Sequence, residues 1–196
     1  AADALSETVT GLLAELGMAG GRFAVELEDN PESLPQSHGL ERCEFMVSAN
    51  PGQPLRALRK VASGGELARI SLAIEVATLG SDPVPTMVFD EVDAGIGGAV
   101  AETVGRKLRA LGGRCQVLAV THLAQVASFG NRHLRVAKQT DGEATESQVI
   151  PMLGSDRIHE IARMMGGKVL TPQTLAHAET MLEHGHGGEE LTLVLQ

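Results

Sequence analysis

Two short apolar runs, each closing on polar functional residues and separated by one helical stretch, constrain this 196-residue chain more than any other feature. Val84 to Phe89 ends in Asp90-Glu91, and Val117 to Val120 ends in Thr121-His122. Runs this apolar over so few residues suit central parallel strands buried on both faces. Between them, Gly97 to Leu111 sets Val100, Val104, Leu108 and Leu111 on one helical face. Strand, helix and strand within roughly 35 residues make a βαβ unit with a right-handed crossover. In open α/β sheets ligands bind beyond the carboxyl ends of the strands, so Asp90, Glu91 and His122 are expected to face one crevice. The first acid of such a pair can hold Mg²⁺, usually through water, and the second can orient or deprotonate an attacking water, as a nucleotide hydrolase requires. The same residues also admit a structural account, with the acids capping the next helix and His122 an ordinary loop residue.

A second candidate lies upstream, at Ser63-Gly64-Gly65-Glu66. Ser-x-x-Glu is a capping box and needs no ligand. Two glycines at a helix N-terminus also leave backbone N–H groups uncovered where the helix dipole favours a phosphate oxygen. Spacing alone does not choose between these readings. The helix that follows, Glu66 to about Leu79, carries Leu67, Ile70, Leu72, Ile74, Val76 and Leu79 nearly all round, which predicts a buried helix. Ser81-Asp82-Pro83 should break it.

The remainder reads as a frame around these motifs. Leu5, Val9, Leu12 and Leu16 keep a four-three-four spacing that fits either a coiled-coil seam or a plain amphipathic helix, with Gly17 as its stop. Phe23, Val25 and Leu27 alternate as a strand, Asp29 to about Arg42 is a polar, proline-bearing loop, and Glu44 to Ser48 is a return strand before the turn Asn50-Pro51-Gly52. Arg132–Lys138 and Ala144–Ile150 bracket the hairpin-like turn Thr140-Asp141-Gly142. Two helices, Arg157–Met165 and about Pro172–Glu183, precede a glycine- and histidine-bearing tail.

Composition excludes several functions. Lys and Arg number 16 against 25 Asp and Glu, a net charge of −9, and the aromatics are four Phe without Trp or Tyr. A sequence-tolerant single-strand binder wants stacking aromatics along a basic groove. Any DNA contact must therefore be local, weak or made by a part not present here. No run approaches the ~18 apolar residues of a membrane span, and no basic start leads into an apolar run, so neither a membrane segment nor a signal peptide is expected. Cys43 and Cys115 read as two free, buried thiols in a reducing compartment, and the expected setting is cytoplasmic. His184 and His186 lack Cys or carboxylate partners at fixed spacing and read as a solvated tail. Arg56, Arg59 and Lys60 form either a solvated basic face, the favoured reading, or a contact to nucleotide or DNA phosphate.

Taken together, the motifs resemble a known family. Val61-Ala62-Ser63-Gly64-Gly65-Glu66-Leu67-Ala68-Arg69-Ile70 looks like the signature motif of ATP-binding-cassette (ABC) ATPases. Thr86-Met87-Val88-Phe89-Asp90-Glu91 resembles the Walker B strand, Val92 to Gly98 the D-loop, and Val120-Thr121-His122-Leu123 the switch-histidine loop. Ser48 to Gly52, Arg59 to Ala62, Phe89 to Ile96, Thr121 to Ala127 and Glu160 to Gly167 are similar to the bacterial DNA-repair branch related to SMC (structural maintenance of chromosomes) proteins. The likeness runs from about Leu16 to Glu183. Ala94, Gly97 and Ala124 stand where that branch commonly has Thr, Ser and Pro; none removes a ligand, though extra glycine should loosen the D-loop.

No Gly-x-x-x-x-Gly-Lys-Ser/Thr phosphate loop occurs, and Gly166-Gly167-Lys168-Val169 lacks both the spacing and the hydroxyl. The resemblance therefore implies an α/β fold, the C-terminal lobe of an ABC/SMC-type head. It would have parallel core strands, flanking helices and a few antiparallel strands. Residues 1–16 would end a coiled-coil helix, 17–185 would form the half head and 186–196 a tail. Either the other half is a separate chain or this chain is a piece of a longer one. The implied cofactors are ATP and Mg²⁺, with Asp90 positioning the metal, Glu91 the general base and His122 on the γ-phosphate. Ser63, Gly64, Gly65 and Glu66 would meet the ATP of the opposite head, and Asp93 would bridge the two sites. The implied partners are the N-terminal half with the Walker A loop, a second head in an ATP-dependent homodimer, and DNA through the complete protein, with no membrane and a place at the nucleoid. The implied role is ATP hydrolysis in DNA double-strand break repair and recombination, this chain alone being inactive. A transporter ATPase subunit is disfavoured by Glu66 in place of Gln, and a non-catalytic coiled-coil scaffold by intact Asp90, Glu91 and His122. A Mg²⁺-dependent phosphatase using Asp90, Glu91 and Asp93 leaves the signature helix unexplained.

Overall fold

The computed structural model describes residues 1–29, 39–61, 63–79, 84–140, 145–166 and 169–186. Ser81-Asp82-Pro83, the Asp141-Gly142 turn, most of the proline-bearing loop, Gly167-Lys168 and residues 187–196 lie outside them. The chain divides into two compact units, 1–96 with 110–120 and 97–109 with 121–196.

In the first unit, helix α1 (Ala2–Glu15) is followed by antiparallel strands β1 (Arg22–Asp29), β2 (Glu41–Ser48) and the short β3 (Arg56–Ala57). β1 and β2 pair from Arg22↔Ser48 to Asp29↔Glu41, so both strands run longer than their apolar cores suggest. α1 buries Val9, Leu12, Leu13 and Leu16. The stripe that fits a coiled-coil seam is thus used within this unit's own core. Two hydroxyls fix α1 to the sheet: Ser6 Oγ accepts from Val25 N–H at 3.0 Å, and Thr10 Oγ1 accepts from Phe23 N–H at 3.0 Å. Ser and Thr are indifferent helix formers, but here they satisfy backbone groups that the edge strand would otherwise leave unpaired. Gly17, at φ 81°, ends the helix in the left-handed region.

Helix α2 (Gly64–Ala77) begins two residues before the apolar stretch, because Ser63 caps it. It buries Ile70, Leu72 and Ala73, but Leu67 is exposed, so the helix is half-covered and not buried all round. The parallel pair β4 (Thr86–Phe89) and β5 (Gln116–Ala119) is in register from Thr86↔Gln116 to Phe89↔Ala119. Its expected burial on both faces is not met: Phe89 is buried, but Val88 and Val120 are 65% and 60% exposed and Leu118 is also exposed. Strand alternation explains this, since the exposed Val88, Leu118 and Val120 share one face of the pair, which the described residues leave uncovered. The cysteines are free, but Cys43 is exposed and Cys115 half-buried, because both sit on strand or loop positions that face outward.

Helix α3 (Gly98–Gly112) connects β4 to β5 in sequence and buries Ala101, Val104, Leu108 and Leu111. The second unit continues with the short α4 (Ala124–Ala127) and the antiparallel hairpin β6 (His133–Thr140) and β7 (Thr145–Met152), closing with α5 (Gly154–Met164) and α6 (Pro172–His186). Its core joins Ala124 to Ile161, Ala162, Ala178 and Leu182. α6 runs on to His186, which is buried with Nδ1 2.8 Å from Leu182 O. The solvated-tail reading is therefore corrected for His186, which is helical and buried; His184 is helical too but remains exposed.

Leu13→Ala should cost about 2–5 kcal/mol in chemical denaturation, because the side chain is wholly buried. Leu27→Ala, at a 52% exposed site in β1, should change stability by no more than about 0.5 kcal/mol.

Candidate functional site

The site is built at the N-terminus of α2. Ser63 Oγ accepts from Glu66 N–H at 3.3 Å, and Ser63 O accepts from Leu67 N–H at 3.0 Å. The capping reading is thereby realised. A cap satisfies only part of a helix's first turn, so it leaves the phosphate reading of the same N-terminus open.

The two glycines do different work from the cap. A Cβ on Gly64 would overlap Glu91 Oε2. A Cβ on Gly65 would lie 2.8 Å from Ala94 Cβ and 3.2 Å from Glu91 O. Neither glycine has positive φ, so both are required for close approach and not for backbone freedom. Opposite them, Asp90 leaves the end of β4 exposed, and the chain turns back at once. Glu91, at φ 58°, is the one non-glycine residue with positive φ among those described. That conformation costs of order 1–3 kcal/mol and is held here by Ala94 N–H donating to Glu91 O at 2.9 Å. Asp93 is buried within the turn at 2% exposure.

Arg69, one turn further along α2, ties the same turn from behind. Its Nη1 donates to Ala94 O at 2.8 Å and Val92 O at 3.5 Å. Burial lowers its pKa, and the charge of Glu66 acts the other way. The structure thus brings Gly64, Gly65, Glu91 and Asp93 together, with Ser63 and Glu66 on the same helical turn. Sequence reasoning missed Arg69 as a contributor, although a cation among Leu67, Ile70 and Leu72 is itself a signal, since Arg is rarely buried without partners.

His122 belongs to the second unit and is exposed. Its loop is shaped by Thr121 Oγ1, which accepts from Leu123 N–H at 3.1 Å just ahead of α4. At the other end of α4, buried Arg157 on α5 donates to the carbonyls of Ala127 and Gly130. Burial lowers the Arg157 pKa, and Arg109 adds to this. Next to it, Glu160 receives a two-pronged bond from Arg163 at 2.8 and 2.6 Å, with Arg135 at 3.7 Å. The Arg163 bond is the main reason the Glu160 carboxyl is held below its ordinary pKa. His184 lines a cavity of about 490 Å³ with His177, Arg106, Arg109 and Glu102. In the first unit, Arg59 of the basic cluster pairs with Glu44 at 3.1 Å while largely exposed, as a solvated face requires.

Among the described residues no group of three or more His, Cys, Asp or Glu is arranged to hold a metal. A Mg²⁺ held by one carboxylate and substrate phosphates needs no such cage, and Asp90 is a donor of that kind. No helix among the described residues is long and apolar enough to cross a membrane.

No protein-family model matches the chain. Solved structures define the class. An Smc head domain with coiled coil and joint from Pyrococcus yayanosii aligns over 90% of this chain and 29% of its own, with a TM-score of 0.57 at 22% identity. A chain from structural work on ATP-driven dimerization and DNA-stimulated activation of SMC ATPases aligns over 85% of this chain and 94% of its own, at TM-score 0.51 and 23% identity. The fold is that of an SMC-type ATPase head. In sequence the chain is similar to the DNA repair protein RecN of Xylella fastidiosa, 54% identical over 183 residues, 93% of its length. It spans about a third of the length of that relative, 33%.

Gly65→Ala should cost about 1–3 kcal/mol, since the added methyl meets Ala94 and backbone that cannot yield. Gly64→Ala should cost less, because a carboxylate tip can swing aside. Thermal and denaturant unfolding of both variants checks this order. Glu160 has a depressed folded pKa, so its contribution to stability is present above the ordinary carboxyl range and lost as pH falls through the folded value. The stability difference between wild type and Glu160→Gln should therefore be greatest near neutrality and shrink below roughly pH 4. A difference independent of pH would exclude the ion pair as its source.

Proposed function

We propose that this chain is the C-terminal half of an ATPase head that hydrolyses ATP across a head–head dimer, in a protein acting in DNA double-strand break repair and recombination. The observation that carries the reading is the packing of Gly64 and Gly65 against the Glu91–Ala94 turn, which sets a capped, exposed helix N-terminus beside a carboxylate. An anion-receiving helix end and a base-bearing turn are the two parts that phosphoryl transfer to water requires of this half.

Within that reading Asp90 holds Mg²⁺, which supplies charge neutralisation at the phosphates. Glu91 takes a proton from the attacking water at its carboxylate. A correctly placed base is worth about 10²–10⁴ in rate. His122 contacts the γ-phosphate, the Ser63–Glu66 turn receives the γ-phosphate of the opposite head's ATP, and Asp93 bridges the two sites. Exposed apolar side chains support a completing half that carries the phosphate loop. In the first unit these are Val88, Leu118 and Val120; in the second, Leu134, Val136 and Val149 on the β6–β7 hairpin. The likeness to RecN supports DNA as a partner of the complete protein, and with it a cytoplasmic, nucleoid-associated setting. Without the phosphate loop the 196-residue chain should not bind ATP tightly, and micromolar binding in calorimetry would overturn the split-head reading.

The decisive experiment uses the complete protein. Glu91→Gln should keep ATP binding, lose turnover and accumulate ATP-bound dimers. Ser63→Arg should bind ATP, lose dimerisation and hydrolysis together, and melt close to wild type. Mixed, the two should recover ATPase activity, because one composite site then holds an intact base and an intact signature. If the mixture stays inactive although both proteins fold and bind ATP, Ser63 is a helix cap and no more.

A further inference from the structure

The guanidinium of Arg69 is buried, yet the hydrogen bonds that define its position run to backbone carbonyls, those of Val92 at 3.5 Å and Ala94 at 2.8 Å. These carbonyls bracket Asp93, and Val92 follows Glu91 directly. α2 and the turn also meet where Gly64 faces Glu91 Oε2 and where Gly65 approaches Glu91 O and Ala94 Cβ. Packing contacts of this kind set a minimum separation and attract without a preferred direction. Charge-assisted hydrogen bonds add direction; both of those from Arg69 come from Nη1, which the rigid planar guanidinium holds in place better than a flexible Lys stem would. For stability alone a buried arginine is a poor choice, since an apolar residue of similar volume is often neutral or better.

We propose that Arg69 is a positioning residue, a clamp that holds the Glu91–Ala94 turn at a fixed place against the N-terminus of α2, so that the base-bearing turn and the phosphate-receiving helix end move as one piece. This rests on the functional reading above and adds a residue that acts through Glu91 and Asp93 without touching substrate. Loss of the clamp leaves the phosphate loop's own ATP site unchanged but lets Glu91, already in a costly backbone conformation, drift from its working position. Displacement of a catalytic group by about 1 Å can cost 10²-fold in rate.

The test is steady-state ATPase kinetics of the complete protein carrying Arg69→Met, which keeps the apolar stem and removes the donors, and Arg69→Lys, which keeps a single point donor. The expected result is a fall in kcat of about 10²-fold for Arg69→Met with KM nearly unchanged. Arg69→Lys should recover part of kcat, and both should form dimers with ATP in the Glu91→Gln background. A folded Arg69→Met with wild-type kcat overturns the clamp. So does a loss of kcat that follows loss of melting temperature and is not eased in Arg69→Lys. Should Arg69→Met fail to fold, Arg69→Lys decides alone: reduced kcat at unchanged KM supports the clamp, and unaltered kcat rejects it. Glu91→Gln run in parallel separates the two levels. If Glu91→Gln retains turnover, the functional reading has failed; if it loses turnover while Arg69→Met does not, only the clamp has.

Discussion

How closely the first turn of α2 approaches the Glu91–Ala94 turn sets the geometry of everything proposed for this site. That approach leaves no room for a Cβ at Gly64 or Gly65. With the helix seated there, Ser63 Oγ still accepts from Glu66 N–H, so the cap and the close contact coexist. Glu91 is the residue that yields, taking φ 58° so that β4 can end and the chain can turn under the helix. Backbone strain at one acid, two glycines at the close approach, of which Gly65 faces backbone, and one buried arginine all belong to this one packing.

The second unit repeats part of this logic with other residues. Arg157 holds the carbonyls of Ala127 and Gly130 behind α4, as Arg69 holds those of Val92 and Ala94 behind the acid turn. In both places a charge-assisted bond from a neighbouring helix reaches the carbonyls of a short segment that follows a parallel strand. Glu160, one helical turn further along α5, pairs instead with Arg163 and Arg135.

The exposed sheet faces connect the fold to the class of protein. A parallel pair with Val88 and Val120 in solvent is an unusual thing for a finished α/β sheet. The RecN relative is about three times as long as this chain. In the α1 stripe Val9, Leu12 and Leu16 are buried and Leu5 is half-buried, while Ser6 and Thr10 bond the helix to β1.

Much of this was legible in the residues themselves. The βαβ unit, the hairpins and the identity of the acids follow from apolar runs and turn residues, because side-chain period and chain punctuation are local properties. The cap at Ser63 is equally local, needing only three following residues. What the sequence could not decide were matters of partner and distance. Whether Leu5 to Leu16 faced a coil or a sheet depended on two hydroxyls reaching a strand 13 and 19 residues away. Whether β4 and β5 were covered on both faces depended on chain lying outside their own neighbourhood. The work of Gly64, Gly65 and Arg69 emerged only when residues 91–94 folded back beneath them, since a close approach between segments some 25 residues apart leaves no mark in the spacing of either.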